Sequence, residues 1–118
     1  MANPNIVNVA TINGKTDVFA LTTTETNLVT ATANTVFKIN SILVSNIDGT
    51  NAADVTIKYN DGSNDRAIAS TISVPADATL AVVDKNSSFY LEENEILKGT
   101  ASANSDLECL ISYEIISD

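Results

Sequence analysis

The sequence predicts an all-β fold: a single-domain, antiparallel β-sandwich that is jelly-roll-like. Short runs of β-branched and other apolar residues recur along the chain, and small polar breaks such as residues 75–78 and 92–94 separate them. No segment longer than one or two turns has helical periodicity. Thr, Asn and Ser dominate the polar residues, as expected for pleated strands joined by tight turns. The 118 residues are enough for one domain, which we place at residues 1–118.

Turn residues punctuate the candidate strands. Asn13-Gly14 predicts a tight turn after the first strand, and residues 61–64 predict a hairpin turn. Pro75 ends a strand because proline cannot donate to the ladder. In the last strand, alternate residues from Leu107 to Ile115 form one apolar face. The candidate strands are residues 6–12, 17–22, 27–32, 36–46, 54–60, 67–74, 80–83, 89–91, 96–101 and 107–116.

The longest candidate strand, residues 36–46, is apolar on both faces. Phe37 and Ile39 alternate on one side, whereas Ile42 and Val44 alternate on the other. This phase change indicates either a β-bulge or a strand that is covered on both faces. A strand covered on both faces lies in the middle of a folded sandwich or hides one face in an oligomer interface. Ile42 and Val44 are therefore candidate interface residues, and a place in the core is the equal alternative.

The N-terminal residues mix Asn with Val and allow two arrangements. Residues 1–15 either form an extended arm that reaches a neighbouring subunit by strand addition, or they pair inside the domain. Residues 1–5 contain no basic region, and no continuous apolar stretch follows them. We therefore expect no secretory leader, and synthesis in a cytoplasm fits the sequence.

The chain is strongly acidic, with 15 acidic and 6 basic residues and a net charge of −9. The basic residues are scattered singly, so no basic stripe is available for nucleic acid, and the acidity disfavours an anionic membrane. The charge either keeps the protein soluble or matches a basic partner surface. The same two alternatives apply to the acidic run of Glu92, Glu93 and Glu95. These residues form a solvated turn, or they contact Lys or Arg on a partner.

Residue types for catalysis and cofactor chemistry are scarce. The sequence has no histidine and one cysteine, Cys109, which falls at an apolar position of the last strand where burial is expected. Asp61, Asp65 and the acidic run at residues 92–95 provide carboxylate pairs, but 5% aromatic residues leave few stacking platforms for a sugar. Residues 60–65 offer oxygen ligands without the spacing of a calcium loop. We therefore expect no enzyme activity, no metal and no cofactor.

Three strand-and-turn segments and the closing strand carry a resemblance to a known group of proteins. Residues 38–46 read KINSILVSN, residues 72–80 read ISVPADATL, and residues 90–97 read YLEENEIL. The last strand closes with Ser112-Tyr113-Glu114-Ile115. In these patterns the chain resembles small β-rich virion structural proteins of tailed bacteriophages, especially those of marine phages. The likeness covers most of the chain beyond about residue 16.

The resemblance implies a capsid decoration (cement) protein, which is a non-enzymatic component of the virion. Such a protein binds the outer lattice of the major capsid protein, commonly as a homotrimer, and stabilises the capsid by bridging adjacent capsomers. A neck, tail or fibre-associated module of the same particle is the first alternative. A carbohydrate-binding β-sandwich is the second. No nucleic acid or membrane partner is expected.

Overall fold

Residues 3–118, the part of the chain that the computed structural model describes, form nine β-strands and one short 3-10 turn. The turn, Lys85–Ser87, is capped by Asp84, whose carboxylate accepts from the backbone N–H of Asn86 at 2.9 Å. The all-β prediction is confirmed. The strands are β1 Thr11–Ala20, β2 Thr26–Thr30, β3 Thr35–Asn46, β4 Ala53–Asn60, β5 Asp65–Val74, β6 Thr79–Val83, β7 Phe89–Leu91, β8 Ile96–Ala101 and β9 Leu107–Ser117.

The strands form two antiparallel sheets. Sheet A has the order β1-β9-β3-β6, with β7 also paired to β3, and sheet B has the order β2-β8-β4-β5. The pairings are nested, since β1 pairs with β9, β2 with β8, β3 with β6 and β7, and β4 with β5. In addition, β3 pairs with β9 and β4 pairs with β8. This is the topology of a jelly roll, in which one long hairpin is rolled up into two sheets. The predicted jelly-roll-like sandwich is therefore confirmed.

The phase change in β3 is caused by a β-bulge. The register between β3 and β9 shifts between Ile39 and Ser41, which leaves Asn40 as the extra residue. Because of this insertion, Ile39 before the bulge and Ile42 after it both point into the core, where each is 0% exposed. Of the two explanations that the sequence allowed for β3, the bulge is confirmed.

The predicted turn at Asn13-Gly14 is wrong, because β1 runs straight through both residues. Asn13 pairs with Ile115, and Gly14 pairs with Glu114, on the long strand β9. Cross-strand pairing along the whole of β1 outweighs the local preference of Asn-Gly for a tight turn. The candidate strand at residues 6–12 therefore does not form as such, and residues 11–15 of the expected N-terminal arm belong to the sheet instead.

Strand β5 ends at Val74, before Pro75, as predicted, but its side chains do not alternate regularly between the two faces. Ala69 is buried opposite Ile57, whereas Ile72 is 41% exposed. The register between β4 and β5 shifts twice, and Thr71 has a φ of 52°. These irregularities interrupt the simple alternation of side chains along the strand.

The core between the sheets leaves no room for a side chain at Gly99 of β8. A Cβ atom placed there would lie 2.7 Å from Leu28 Cδ1 and 3.2 Å from Leu21 Cδ2. Both leucines are buried in a close-packed core, so their side chains must shift to admit a Cβ atom, at a cost in packing. The close approach of two core leucines therefore requires glycine at this position.

We expect Gly99→Val to destabilise the fold by about 1–3 kcal/mol, because it overpacks this part of the core. Chemical denaturation followed by circular dichroism measures the change. Gly14→Val is the matched control, since no atom lies within 4 Å of a Cβ placed at Gly14. Equal stability of the Gly99→Val variant and the wild type would contradict the packing described here.

Candidate interaction surface

The two apolar candidates for an interface lie in the core. Ile42 and Val44 are 0% exposed, and they pair with Ile111 and Cys109 of the central strand β9. Side chains without accessible surface offer no contact to a partner subunit. The interface hypothesis for these two residues is therefore wrong, and the alternative that placed them in the core is correct.

The acidic candidates Glu92, Glu93 and Glu95 lie together in the turn between β7 and β8. The Glu95 backbone N–H donates to the Glu92 carbonyl at 3.0 Å, and Asn94 has a left-handed φ of 65°. The turn docks on the loop after β2: the Asn94 N–H donates to the Ala31 carbonyl at 2.8 Å, and the Ala31 N–H donates to the Glu95 carbonyl at 3.0 Å. Backbone hydrogen bonds of the same chain therefore hold the acidic run in place.

Asn3 ties the N-terminal arm to this turn. Its side-chain amide donates to Glu92 Oε1 at 2.7 Å, and its side-chain oxygen accepts from the Glu93 backbone N–H at 3.0 Å. The Glu93 carboxylate also accepts from the Asn34 backbone N–H. Residues 3–10 are irregular and are attached to their own domain at this point, whereas residues 1 and 2 of the expected arm lie outside the described residues.

Glu95 is bound by Tyr59 of β4. Its carboxylate accepts hydrogen bonds from the Tyr59 hydroxyl and, at 3.0 Å, from the Glu92 backbone N–H. Burial, and then the hydrogen bond to Glu95, raise the pKa of Tyr59 well above its ordinary value. All three acidic side chains thus have partners within the chain. Their contact with a basic partner stays a prediction.

The outer face of sheet A carries a row of apolar side chains that sequence reasoning missed. The register places Val18 beside Leu110, Leu110 beside Leu43, and Leu43 beside Ala81, so the row crosses β1, β9, β3 and β6. Core residues flank Leu43 and Leu110 on both sides, and Val18 and Ala81 lie beside residues that pack against the core, so the row itself points outward. Val18 is 71% exposed, Ala81 is exposed, and the two leucines are half-buried. We call these four residues the outer apolar row.

Another apolar part of the same outer face is covered by the chain itself. Val36 and Ile116, which pair across β3 and β9, are only 3% and 4% exposed although they lie outside the main core. Val36 shares a shallow pocket with Pro4 and Ile6 of the N-terminal arm and with Tyr90. The arm therefore shields one apolar region of the outer face. In the outer apolar row, by contrast, Val18 remains 71% exposed.

The outer face of sheet B is polar by contrast. Its strands present Thr, Asn and Lys outward, and the lysines form a network with two carboxylates. Lys58 Nζ lies 3.0 Å from Glu25, and Lys98 Nζ lies 3.2 Å from Asp65 and 4.0 Å from Glu25. Hydrogen bonding to Glu25, reinforced by its charge, raises the pKa of Lys58. This face has the character of a solvated surface, which leaves the outer face of sheet A as the candidate for docking.

The thiol and the hairpin carboxylate that the sequence offered for chemistry have structural positions. Cys109 is 1% exposed, and burial raises the pKa of its thiol to about 12, so little nucleophilic thiolate forms at neutral pH. Asp61 closes the predicted hairpin turn, where its carboxylate accepts from the N–H groups of Ser63 at 3.0 Å and Asn64 at 2.8 Å. Within residues 3–118, no three carboxylate or thiol side chains come together as a possible metal site. The same residues include no helix that is long and apolar enough to cross a lipid bilayer.

A sequence signal for the outer apolar row did exist. Leu43 lies between two core residues of β3, and Leu110 lies between two core residues of β9. An apolar residue flanked on both sides by inward-pointing residues must point outward in a regular strand. The sequence analysis placed Ile42 and Val44 on the opposite face from Phe37 and Ile39, but all four point into the core. The outward apolar residue between Ile42 and Val44 is Leu43.

Comparison with known proteins finds likeness in structure and none in sequence families. No protein-family model matches the chain, and no curated protein sequence matches it. A chain from the endospore appendages of Bacillus, described as a novel family of disulfide-linked pili, superposes with a TM-score of 0.55 at 12% identity. That match covers 91% of this chain and 87% of the other.

The second similar structure comes from a virus. A chain of the acid-stable capsid of Helicobacter pylori bacteriophage KHP30 superposes with a TM-score of 0.53 at 7% identity, and the match covers 92% of this chain and 89% of the other. The three chains share a fold. At such low identities the likeness concerns the fold alone. Both neighbours come from large protein assemblies.

Proposed function

We propose that this chain is a non-enzymatic structural subunit of a bacteriophage virion, made in the host cytoplasm and bound to the outside of the capsid. In this role it decorates the lattice of the major capsid protein and stabilises it. The outer apolar row is the observation that carries the proposal, because it is an exposed apolar feature on one face of a domain whose opposite face is polar. The fold shared with a chain of a phage capsid and the resemblance to phage virion proteins support it.

The chemistry of this surface favours a partner that is apolar at the centre of the contact and basic at its edge. Val18, Leu43 and Leu110 provide the apolar centre, and Glu108, exposed two residues before Leu110 on β9, provides a neighbouring carboxylate. The whole chain carries a net charge of −9, so a basic capsid surface would attract it from a distance. Apolar burial would then supply affinity, and charge would supply orientation.

Stabilisation of the capsid follows from mass action. A subunit that binds the assembled lattice, and not dissociated capsomers, shifts the equilibrium towards the assembled state in proportion to its occupancy. A subunit that contacts two capsomers also adds interface area that opposes the outward pressure of packed DNA. This role needs a rigid domain and a fitting surface, and it needs no reactive side chain.

Cysteine chemistry separates this role from that of the pilus neighbour. The Bacillus appendages are disulfide-linked. This chain has one cysteine, which is 1% exposed and points into the core between the sheets. A buried single thiol cannot link neighbouring subunits without unfolding the domain. A disulfide-linked filament is therefore a poor match for this sequence.

Rebinding to capsids stripped of this chain tests the proposal. We expect saturable co-sedimentation of the wild type, and binding at least about tenfold weaker for Leu43→Lys, which places a charge at the centre of the outer apolar row. Thr100→Lys is the matched control, because it adds the same charge to a central strand on the outer face of sheet B. Failure of the wild type to bind would overturn the proposal, and a loss confined to Thr100→Lys would move the docking face to sheet B.

A further inference from the structure

The four edges of the two sheets differ in how well they are protected against pairing with another strand. Strand β2 is five residues long and its register with β8 is shifted. Strand β5 has two register shifts and a residue with positive φ, Thr71. On the far edge of sheet A, β6 and β7 are five and three residues long. Short strands and bulges are the usual means by which proteins prevent edge-to-edge association.

Strand β1 is neither short nor bulged, and its only edge-protecting residues are the two charged ones, Lys15 and Asp17. It is ten residues long, contains neither proline nor a bulge, and pairs with β9 in unbroken register from Thr11 to Ala20. It is the first strand of sheet A, and no strand in the described part of the chain pairs with its other edge. Eight of its ten residues are exposed, including Ile12 at 54% and Val18 at 71%. An edge of this length and regularity is a template for another strand.

The charges of β1 favour β1 of a second copy of this chain as the strand that pairs with its free edge. Lys15 and Asp17 are its two charged residues, and they lie two positions apart. We propose that β1 pairs antiparallel with β1 of a second copy of this chain, about a two-fold axis at Thr16. In this register Lys15 lies opposite Asp17 of the partner subunit, and the symmetry repeats the pair. Opposite charges on facing strands stabilise the pairing.

Symmetry leaves few other registers. A two-fold axis perpendicular to the sheet pairs residues of the same face, so the axis must pass through a residue and not between two. An axis at Lys15 would place two lysines opposite each other, and an axis at Asp17 would do the same for two aspartates. Like charges directly opposite each other destabilise a strand pair. Axes at Gly14 and Val18 avoid these conflicts too, but they align only residues 11–17 and 16–20 and leave Lys15 without a facing carboxylate. The axis at Thr16 aligns residues 12–20 and places Lys15 opposite Asp17.

Local geometry prepares this edge for pairing. Tyr113 of β9 donates a hydrogen bond to Asp17 Oδ2 at 2.5 Å, which fixes the position of the carboxylate, and Lys15 Nζ lies 3.7 Å from Asp17 Oδ1. Because β1 has one lysine and one aspartate, the strand has no net charge, although the whole chain carries a charge of −9. In the proposed register, Val18 lies opposite Gly14 of the partner subunit, where no atom lies within 4 Å of a Cβ position in the single chain. The exposed valine thus faces open space.

The pair joins two copies of sheet A into one continuous sheet and places two outer apolar rows on the same face. This inference is independent of the proposed function, since it holds in any particle that contains the chain. It differs from the homotrimer that the phage resemblance implies, and the mass of the native protein separates the two.

Charge reversal tests the proposal by sedimentation equilibrium over a concentration series. We expect the wild type to dimerise, and Lys15→Asp and Asp17→Lys each to raise the dissociation constant at least about tenfold, because each turns both attractive pairs into repulsive ones. An equimolar mixture of the two variants should recover a heterodimer, because an acidic strand then faces a basic one. Circular dichroism of each variant verifies that it is folded. A monomeric or trimeric wild type, or variants that dimerise as well as the wild type, would overturn the proposal.

Thiol cross-linking tests the register. Thr16→Cys places two thiols about 5 Å apart across the axis, whereas Thr11→Cys, on the same strand, places them about 33 Å apart. The native thiol of Cys109 is 1% exposed and does not interfere. A short thiol-specific cross-linker should therefore give a covalent dimer from Thr16→Cys and none from Thr11→Cys. Equal cross-linking of both variants, or of neither, would contradict the register.

Discussion

Ile42→Asp is expected to unfold the domain. Ile42 is 0% exposed in a core whose described residues include no charged side chain, and the Tyr113 hydroxyl of that core already donates to Asp17. Burial of an unpaired charge costs about 4 kcal/mol or more, which is a large part of the ~5–15 kcal/mol that stabilises a domain. Size-exclusion chromatography and circular dichroism should show aggregated or unfolded protein.

Leu43→Asp is the control for this experiment, because Leu43 is the next residue of β3 and points to the outer face. We expect this variant to stay folded, with a loss of stability much smaller than that of Ile42→Asp. A folded, monomeric Ile42→Asp protein would contradict the core placement and would restore the interface hypothesis for that residue.

Asn46→Leu is expected to be the second most damaging change, with a loss of about 3 kcal/mol or more. Asn46 is 3% exposed at the end of β3. Its side-chain amide donates to the carbonyls of Asn51 at 3.0 Å and Val74 at 2.9 Å, and its side-chain oxygen accepts from the Asp48 N–H at 2.9 Å. Leucine has a similar size but would leave the buried Val74 carbonyl and two partly buried backbone groups without their partner, and an unsatisfied buried group costs about 1–3 kcal/mol.

Chemical denaturation of Asn46→Leu and of Asn51→Leu measures this effect. Asn51 is exposed, and its contribution to the Asn46 network is its backbone carbonyl, which the substitution keeps. We expect Asn51→Leu to unfold within about 0.5 kcal/mol of the wild type. Equal stability of Asn46→Leu and the wild type would show that the end of β3 does not depend on the Asn46 side chain.

Local residue patterns predicted most strand positions because short strands here end at strong breaks. Phe89–Leu91 and Ile96–Ala101 were predicted with the bounds that the structure has, since Ser88 and the polar turn at residues 92–95 delimit them. The Asn13-Gly14 turn failed for the opposite reason. A local turn preference was outweighed by pairing with β9, a strand about 100 residues away in the sequence, and no local pattern reports such a pairing.

The sequence predicted that β3 has an apolar outer face, but it did not identify the residues on that face. An apolar outer face was foreseen from β3, but Ile42 and Val44 were chosen where Leu43 is the outward residue. The bulge at Asn40 changes which residues of β3 face the core, so the choice depended on the register with β9. The alignment of Val18, Leu110, Leu43 and Ala81 is likewise a property of strand order, since these residues come from four separate segments.

A cryo-electron microscopy reconstruction of the virion that contains this chain tests the central claim most directly. The proposed function predicts jelly-roll density on the outside of the capsid, with the outer face of sheet A, including Leu43 and Leu110, turned towards the major capsid protein. Density for this domain at the neck, tail or fibres alone, or its absence from the particle, would contradict it.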